Sequence, residues 1–267
     1  MHMICLVKQV PDPETPSASF RVDPAANRVI PAPGIAPVIS PFDEQAVEVA
    51  LRIKDKHGGT VTAVCMAPAS GRDAIKHALA MGADDGILID GPAFGYTDSY
   101  STAYILSEAL KKIGDYDLIL CGRQAADWDG SQVGILVSEM LGIPALINGQ
   151  STDIIGDNRI KFERVLPEGL DVYESPTPAV VTFSQEVGQP RYPTLRNIMA
   201  AARKEVPVWG QAELGFDPNE VSTSKAKTKL HRLFVPTFDA KVEIIEGENP
   251  ADSGRLLALK LREAKII

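Results

Sequence analysis

Residues 122–134, Gly-Arg-Gln-Ala-Ala-Asp-Trp-Asp-Gly-Ser-Gln-Val-Gly, hold the densest set of chemically useful side chains in the sequence. They follow an apolar strand and precede a helix. Gly122, Gly130 and Gly134 let a backbone approach a ligand closely. Gly130, Ser131, Gln132 and Val133 would place free N–H groups at a helix N-terminus, which suits a phosphate. Asp127 and Asp129 have three readings: caps of the turn, acceptors for a ribose or backbone, and metal ligands. The loop points to a nucleotide without naming one.

Two further segments stand out. Residues 39–48, Ile-Ser-Pro-Phe-Asp-Glu-Gln-Ala-Val-Glu, read as a helix start with Pro near its first position and acids in its first turn. They also offer an aromatic, Phe42, and a polar cap, Ser40, to a bound ring. Residues 188–204 carry Arg191, Arg196, Arg203 and Lys204 and no acid, a basic patch on a chain of net charge −8. Tyr192 and Leu195 lie among its prolines and arginines. That makes the patch either a solvated helix face or a protein-docking surface, with Arg and Tyr as frequent hot-spot residues.

Other chemistry is missing. There is no G-x-x-x-x-G-K-[ST], no G-x-G-x-x-G after the first strand and no G-x-S-x-G. His2, His57, His77 and His231 have no matched Ser, Cys or Asp in sequence and read as surface histidines. Cys5, Cys65 and Cys121 lack metal-ligand spacing, so no metal site is expected; they read as small buried hydrophobes in a reducing cytosol. The acidic balance, 27 basic against 35 acidic residues, speaks against nucleic-acid binding. No apolar run approaches the roughly 20 residues that span a bilayer, and the opening apolar stretch is too short for a signal peptide.

The elements that must position these groups alternate between strand and helix. Strands are expected at 3–7, 61–66, 86–90 and 117–122, and helices at 43–56, 69–81, 99–112 and 131–141. That rhythm implies an α/β fold with a mostly parallel sheet and helices on both faces. Ligands of such sheets bind at the carboxyl ends of strands, where strand order reverses. A hairpin region follows, about 151–184, then a helix over 193–204. The domain reading is therefore an α/β nucleotide-binding domain over 1–205 and an extended C-terminal arm over 206–267. The arm ends in a short amphipathic helix capped by Ser253.

Taken in order, LVKQVPD, PFDEQAVEVALRIKDKHGG, HALAMGAD, LILCGRQAADWDGSQVG and PRYPTLRNIMAAARK resemble the β (small) subunit of electron transfer flavoprotein, over nearly the whole chain. The resemblance implies an α/β sandwich related to adenine-nucleotide-binding, universal-stress-like domains, with the arm wrapping an α subunit in an obligate heterodimer. It implies FAD carried mainly by the α subunit and an adenine nucleotide in this chain. That nucleotide would touch Leu6, Ser40, Pro41, Phe42, Asp43, Met66, Gly122, Arg123, Gln124, Ala125, Asp127, Asp129, Gly130, Ser131, Gln132 and Val133. It also implies that 188–204 docks acyl-CoA dehydrogenases or similar flavoenzymes, through Arg191, Tyr192, Leu195 and Arg196, with Leu195 as the apolar tip.

The chain departs from the family pattern in three places. AMP-binding members carry a D-D-x-N-Q-T-G type loop, whereas the Gln132-Val133-Gly134 ending is more like members that bind a second FAD. Some of those take electrons from NADH and bifurcate them. Ser40 stands where Asn usually precedes Pro-Phe, and Trp128 is unusual in the loop. The identity of the nucleotide, FAD or AMP, stays open, with a slight lean to FAD. Three roles follow: a cytoplasmic electron-carrier subunit, an NADH-dependent bifurcating subunit, and a stand-alone adenine-nucleotide domain of the stress type. The absence of a matched acid–base pair fits a carrier, whose cofactor supplies the redox step.

Overall fold

The computed structural model describes residues 1–91, 98–221, 225–237 and 242–267. They form two compact units, Met1–Leu233 and Phe234–Ile267. In the first unit the chain runs β1 (His2–Val7), β2 (Gln9–Val10), β3 (Arg21–Asp23), β4 (Arg28–Ile30), β5 (Val38–Ile39), α1 (Pro41–His57), β6 (Thr60–Met66), α2 (Arg72–Met81), β7 (Asp85–Ile89), α3 (Ser99–Ile113), β8 (Leu118–Gly122) and α4 (Val133–Leu141). It continues through β9 (Ala145–Gly156), β10 (Arg159–Leu166), β11 (Gly169–Pro176), β12 (Ala179–Phe183), α5 (Leu195–Arg203), β13 (Val208–Trp209) and α6 (Gln211–Leu214).

The main sheet has nine strands in the order β11-β10-β9-β12-β8-β1-β6-β7-β13. Pairing is parallel from β9 to β13 and antiparallel at the β9–β10–β11 end. Continuous apolar runs such as Met3–Val7 and Leu118–Cys121 suit strands covered on both faces. Alternate residues divide between those faces. Met3, Cys5 and Val7 join the cluster under α1 and α2; Ile4 and Leu6 join the one under α3 and α4. All three cysteines are buried and unpaired.

Helix boundaries follow local chemistry. Pro41 opens α1, and Gly58 closes it at φ 77°. Asp98 caps α3 by accepting the Ser101 N–H, and Gly142 ends α4 in the left-handed region. From β1 the chain passes through α1 to β6 and β7 on one side, then returns through α3 to β8 on the other. The order therefore reverses between β1 and β8.

Two expectations differ from what is observed. The stretch from 206, expected to begin an extended arm, first adds β13 to the edge of the sheet beside β7, and buries Leu214, Phe216 and Val221. An exposed polar composition masked these few apolar contacts. In the second unit, α7 (Pro250–Glu263) is capped by Asn249, whose side chain accepts the Asp252 N–H at 3.0 Å. Ser253 lies inside that helix, and its Oγ accepts the Gly247 N–H at 2.8 Å. Pro at the first helical position, directly after Asn, is the stronger start signal.

Candidate functional site

Asp43, in the first turn of α1, joins the two strands that flank the reversal. Its carboxylate accepts the Lys8 N–H and the Gly122 N–H, each at 2.9 Å. Ser40 donates its N–H to Lys8 O at 2.8 Å, and its carbonyl accepts the Asp43 and Glu44 N–H groups. The carboxyl ends of β1 and β8 are thus stapled to the start of α1. Burial pushes the Asp43 carboxyl up to about 7; the Gly122 and Lys8 hydrogen bonds pull against it, and the Asp127 charge adds to the rise. Gly122 answers to close packing. A Cβ there would lie 2.6 Å from Phe42 Cβ and 2.7 Å from Asp43 Oδ1.

The loop from Arg123 to Gln132 rises above this staple. Lys8 Nζ pairs with Asp127 at 2.8 Å. Gln124 Nε2 donates to Asp129 Oδ1 at 2.6 Å, and the Asp129 N–H donates to Ala125 O at 3.0 Å. Both loop aspartates are therefore held by this chain's own groups. Asp129 and Ser131 sit at φ 49° and 52°. Such left-handed backbone is uncommon outside glycine, and most uncommon for residues other than Asn and Asp.

α4 begins at Val133, and Gln132 at its N-cap makes no side-chain cap. Gly134 answers to packing as well, because a Cβ would meet Cys121 Sγ at 2.7 Å. Gly130 is different: among the described residues a Cβ there would find only Ser99 Oγ, at 3.7 Å. One loop glycine leaves room, then, and two let elements approach.

A cavity of about 370 Å³ lies against the loop and α4, lined among others by Arg123, Gln124, Ser131, Ile135, Asn148 and Thr182. The Arg123 guanidinium stands over the Phe42 ring at 5.6 Å, a cation–π contact. Among the described residues, Arg123 Nε and Ser40 Oγ are buried without a hydrogen-bond partner. Buried polar atoms seldom stay unsatisfied. Leu6, Met66 and Val133 belong to the apolar cluster under α3 and α4. Leu6 and Met66 stand at the carboxyl ends of β1 and β6, and Val133 opens α4, so all three predicted contacts lie near the same edge of the sheet. Pro41 is exposed at the start of α1, and Trp128 is exposed in the loop.

Sequence reasoning missed Lys8, Asn148 and Thr182. Asn148 has φ 61°, and its N–H donates to Thr182 Oγ1 at 3.1 Å, where the β9–β12 register shifts. The Asn148-Gly149 dipeptide was the available signal for irregular backbone. The histidines, too, find partners from far along the chain. His57 Nε2 lies 2.7 Å from Asp153, and His77 Nε2 lies 2.7 Å from Glu44.

The 188–204 segment forms a second feature, beside α1 and α2. Thr194 caps α5 by accepting the Asn197 N–H at 3.2 Å. Lys76 of α2 donates its ammonium to the Ala201 carbonyl at 2.7 Å, and also to Lys204 O, at the C-terminal end of α5 where a cation is favoured. Tyr192 is 80% exposed and Leu195 74%, with Ile198 and Met199 also exposed and Arg196 on the surface. Arg191 is the exception among the four expected docking residues. Its side chain is drawn back onto Glu48 and Asp55 of α1.

Residues 34–214 match the electron transfer flavoprotein domain model. The chain is 38% identical to an electron transfer flavoprotein subunit beta from Thermoanaerobacterium thermosaccharolyticum, over 92% of this chain and 93% of that one. The chain belongs to the β-subunit family of electron transfer flavoproteins. Other relatives carry more particular names. A caffeyl-CoA reductase–Etf complex subunit, CarD, from Acetobacterium woodii is 31% identical over 100% of both chains. An acryloyl-CoA reductase electron transfer subunit gamma from Anaerotignum propionicum is 35% identical over 92% of this chain and 93% of its own. As a member of the electron transfer flavoprotein family, the chain has an electron-transfer role. These relatives do not favour the stand-alone or the bifurcating alternative. Among the described residues, no helix is long and apolar enough to cross a membrane.

Proposed function

We propose that this chain holds an FAD at the carboxyl ends of β1 and β8 and, with a larger α subunit, carries electrons in the cytoplasm between flavoenzymes such as acyl-CoA dehydrogenases and a further redox partner. The observation that carries the nucleotide site is the donor set around the 123–132 loop. Arg123 Nε and Ser40 Oγ are buried without partners, α4 has no side-chain cap, and Gly130 leaves space for a close approach. Donors of this kind fit a phosphate-bearing nucleotide. Gln132-Val133-Gly134 in place of an Asn- and Thr-bearing ending favours FAD over AMP.

When bound, a flavin supplies the electron-accepting ring, and the protein supplies binding, orientation and exclusion of water. In this reading Gln132, Val133 and Ser131 present backbone N–H groups to phosphate. Leu6, Phe42 and Met66 offer apolar surface to a ring. Asp43 holds the loop ends together without touching the nucleotide. Tyr192, Leu195 and Arg196 form the docking face, supported by their exposure at the start of a braced helix and just before it, and by the acyl-CoA-type partners in the relatives' names. The C-terminal arm grips the α subunit. Within its own unit it exposes Val242, Ile244, Leu257, Leu259, Ile266 and Ile267. Exposed apolar side chains of this number mark a protein interface.

Co-expression with the α subunit, heat release of bound nucleotides and a count per heterodimer test the reading. FAD in this chain's site supports it. AMP there keeps the site and overturns the choice of FAD, and no nucleotide beyond the α subunit's FAD overturns the site itself.

A further inference from the structure

Arg191 and Arg52 converge on the carboxylate of Glu48, and Arg191 reaches beyond it to Asp55. Glu48 is only 4% exposed, in the second turn of α1. It accepts Arg52 Nε at 2.8 Å from one turn further along the helix, and on its other oxygen the backbone N–H of Arg191 at 3.1 Å and Arg191 Nε at 2.8 Å. Arg52 Nη1 reaches on to the Val187 carbonyl at 3.1 Å, and Arg191 Nη2 to Asp55 at 2.9 Å. Glu48, Arg52 and Asp55 fall at helical spacing on one face of α1. Together they hold residues 187–191 by two main-chain groups as well as by a side chain.

Burial pushes the Glu48 carboxyl up, but the hydrogen bonds from Arg191 and Arg52 outweigh it and hold the group below the usual carboxylate range. It is therefore charged at neutral pH, and each of its oxygens is partnered. The residues just beyond the latch, Tyr192 and Leu195, are the most exposed large apolar side chains of the segment. A short tether of that kind limits the directions in which the exposed side chains can point, and so removes ordering entropy from any later association.

We propose that Glu48 is the positioning residue of the docking face, fixing residues 187–191 to α1 so that Tyr192 and Leu195 are presented in one orientation. The inference rests on the docking reading above. It adds that Arg191 serves as the inner end of the latch and not as a partner contact. It also makes α1 a single rigid element that carries the Asp43 staple near its start and the docking latch along its length.

The test uses the full heterodimer as electron acceptor for an acyl-CoA dehydrogenase, with three variants of this chain. Glu48→Gln is expected to raise the KM for the carrier about tenfold, with the rate at saturating carrier and the nucleotide content retained. It is also expected to speed tryptic cleavage after Arg191, a readout that partner contacts do not enter. Arg191→Met leaves Glu48 paired with Arg52, so no uncompensated charge is buried if Glu48→Gln folds poorly. It should raise KM in the same direction. Leu195→Ala separates the two ideas. If Leu195→Ala raises KM while Glu48→Gln and Arg191→Met leave KM at the wild-type value, the positioning role is overturned and the docking reading stands. If Leu195→Ala leaves KM unchanged, the docking reading fails and the positioning role fails with it.

Discussion

Residues 123–132 and residues 187–194 each lead into a helix, yet their polar atoms end differently. Before α4, Arg123 Nε has no partner, the N-cap Gln132 makes no cap, and Asp129 and Ser131 sit in left-handed backbone. Before α5, Thr194 caps the helix and Arg191 spans Glu48 and Asp55; at the helix's far end Lys76 meets the last carbonyls. The first region leaves donors without partners. The second satisfies its polar groups internally and turns apolar side chains outwards. Donors without partners suit a charged small molecule, whereas a braced apolar face suits a protein.

The largest effect is expected at Gly122. Gly122→Val would drive a side chain into Phe42 and Asp43, and overpacking of this kind costs about 1–3 kcal/mol or more. A large fall in the thermal midpoint together with loss of nucleotide is expected. Gly130→Val has the opposite signature, because a Cβ there meets nothing nearer than 3.7 Å among the described residues. It should lower nucleotide occupancy while the thermal midpoint of the nucleotide-free chain stays near wild type. Equal destabilisation by both variants would erase the distinction between packing glycines and the ligand-facing one.

Asp43→Asn gives a pH-dependent effect of on the order of a few kcal/mol at most. The Asp43 pKa is raised by burial to about 7 in the folded chain, so the native state holds an extra proton between about pH 4 and pH 7. Asp43 therefore contributes stability that is complete below about pH 4 and lost as pH rises through about 7. The thermal midpoint of Asp43→Asn relative to wild type should climb across that window; a pH-independent difference would contradict the assignment. The smallest effect is at the docking helix. Thr194→Ala removes an N-cap worth about 1 kcal/mol, and should increase amide exchange in α5 without changing nucleotide content.

Much of this arrangement is legible in the sequence, for local reasons. Pro41 and Gly58 mark the ends of α1, and the apolar run at 118–121 marks a strand buried on both sides. The loop glycines mark the place where β8 gives way to α4. What sequence reasoning could not reach are the long-range pairs. Glu48 and Arg191 are 143 residues apart, and Lys8 and Asp127 are 119 apart. Nothing in the local pattern of a helix says which of its charged residues will meet another segment. Gly122 and Gly134 read in the sequence as places where a ligand approaches, and the fold uses both for packing instead. A glycine admits close approach, but only the fold says whether a ligand or a neighbouring element approaches.

In the function proposed, this chain itself holds a nucleotide beside the 123–132 loop. Nucleotide stoichiometry of the heterodimer, compared between wild type and Gly130→Val, tests it most directly. The account predicts two FAD per wild-type heterodimer and selective loss of one in the variant. An identical nucleotide count in both, with only the α subunit's FAD present, would contradict it.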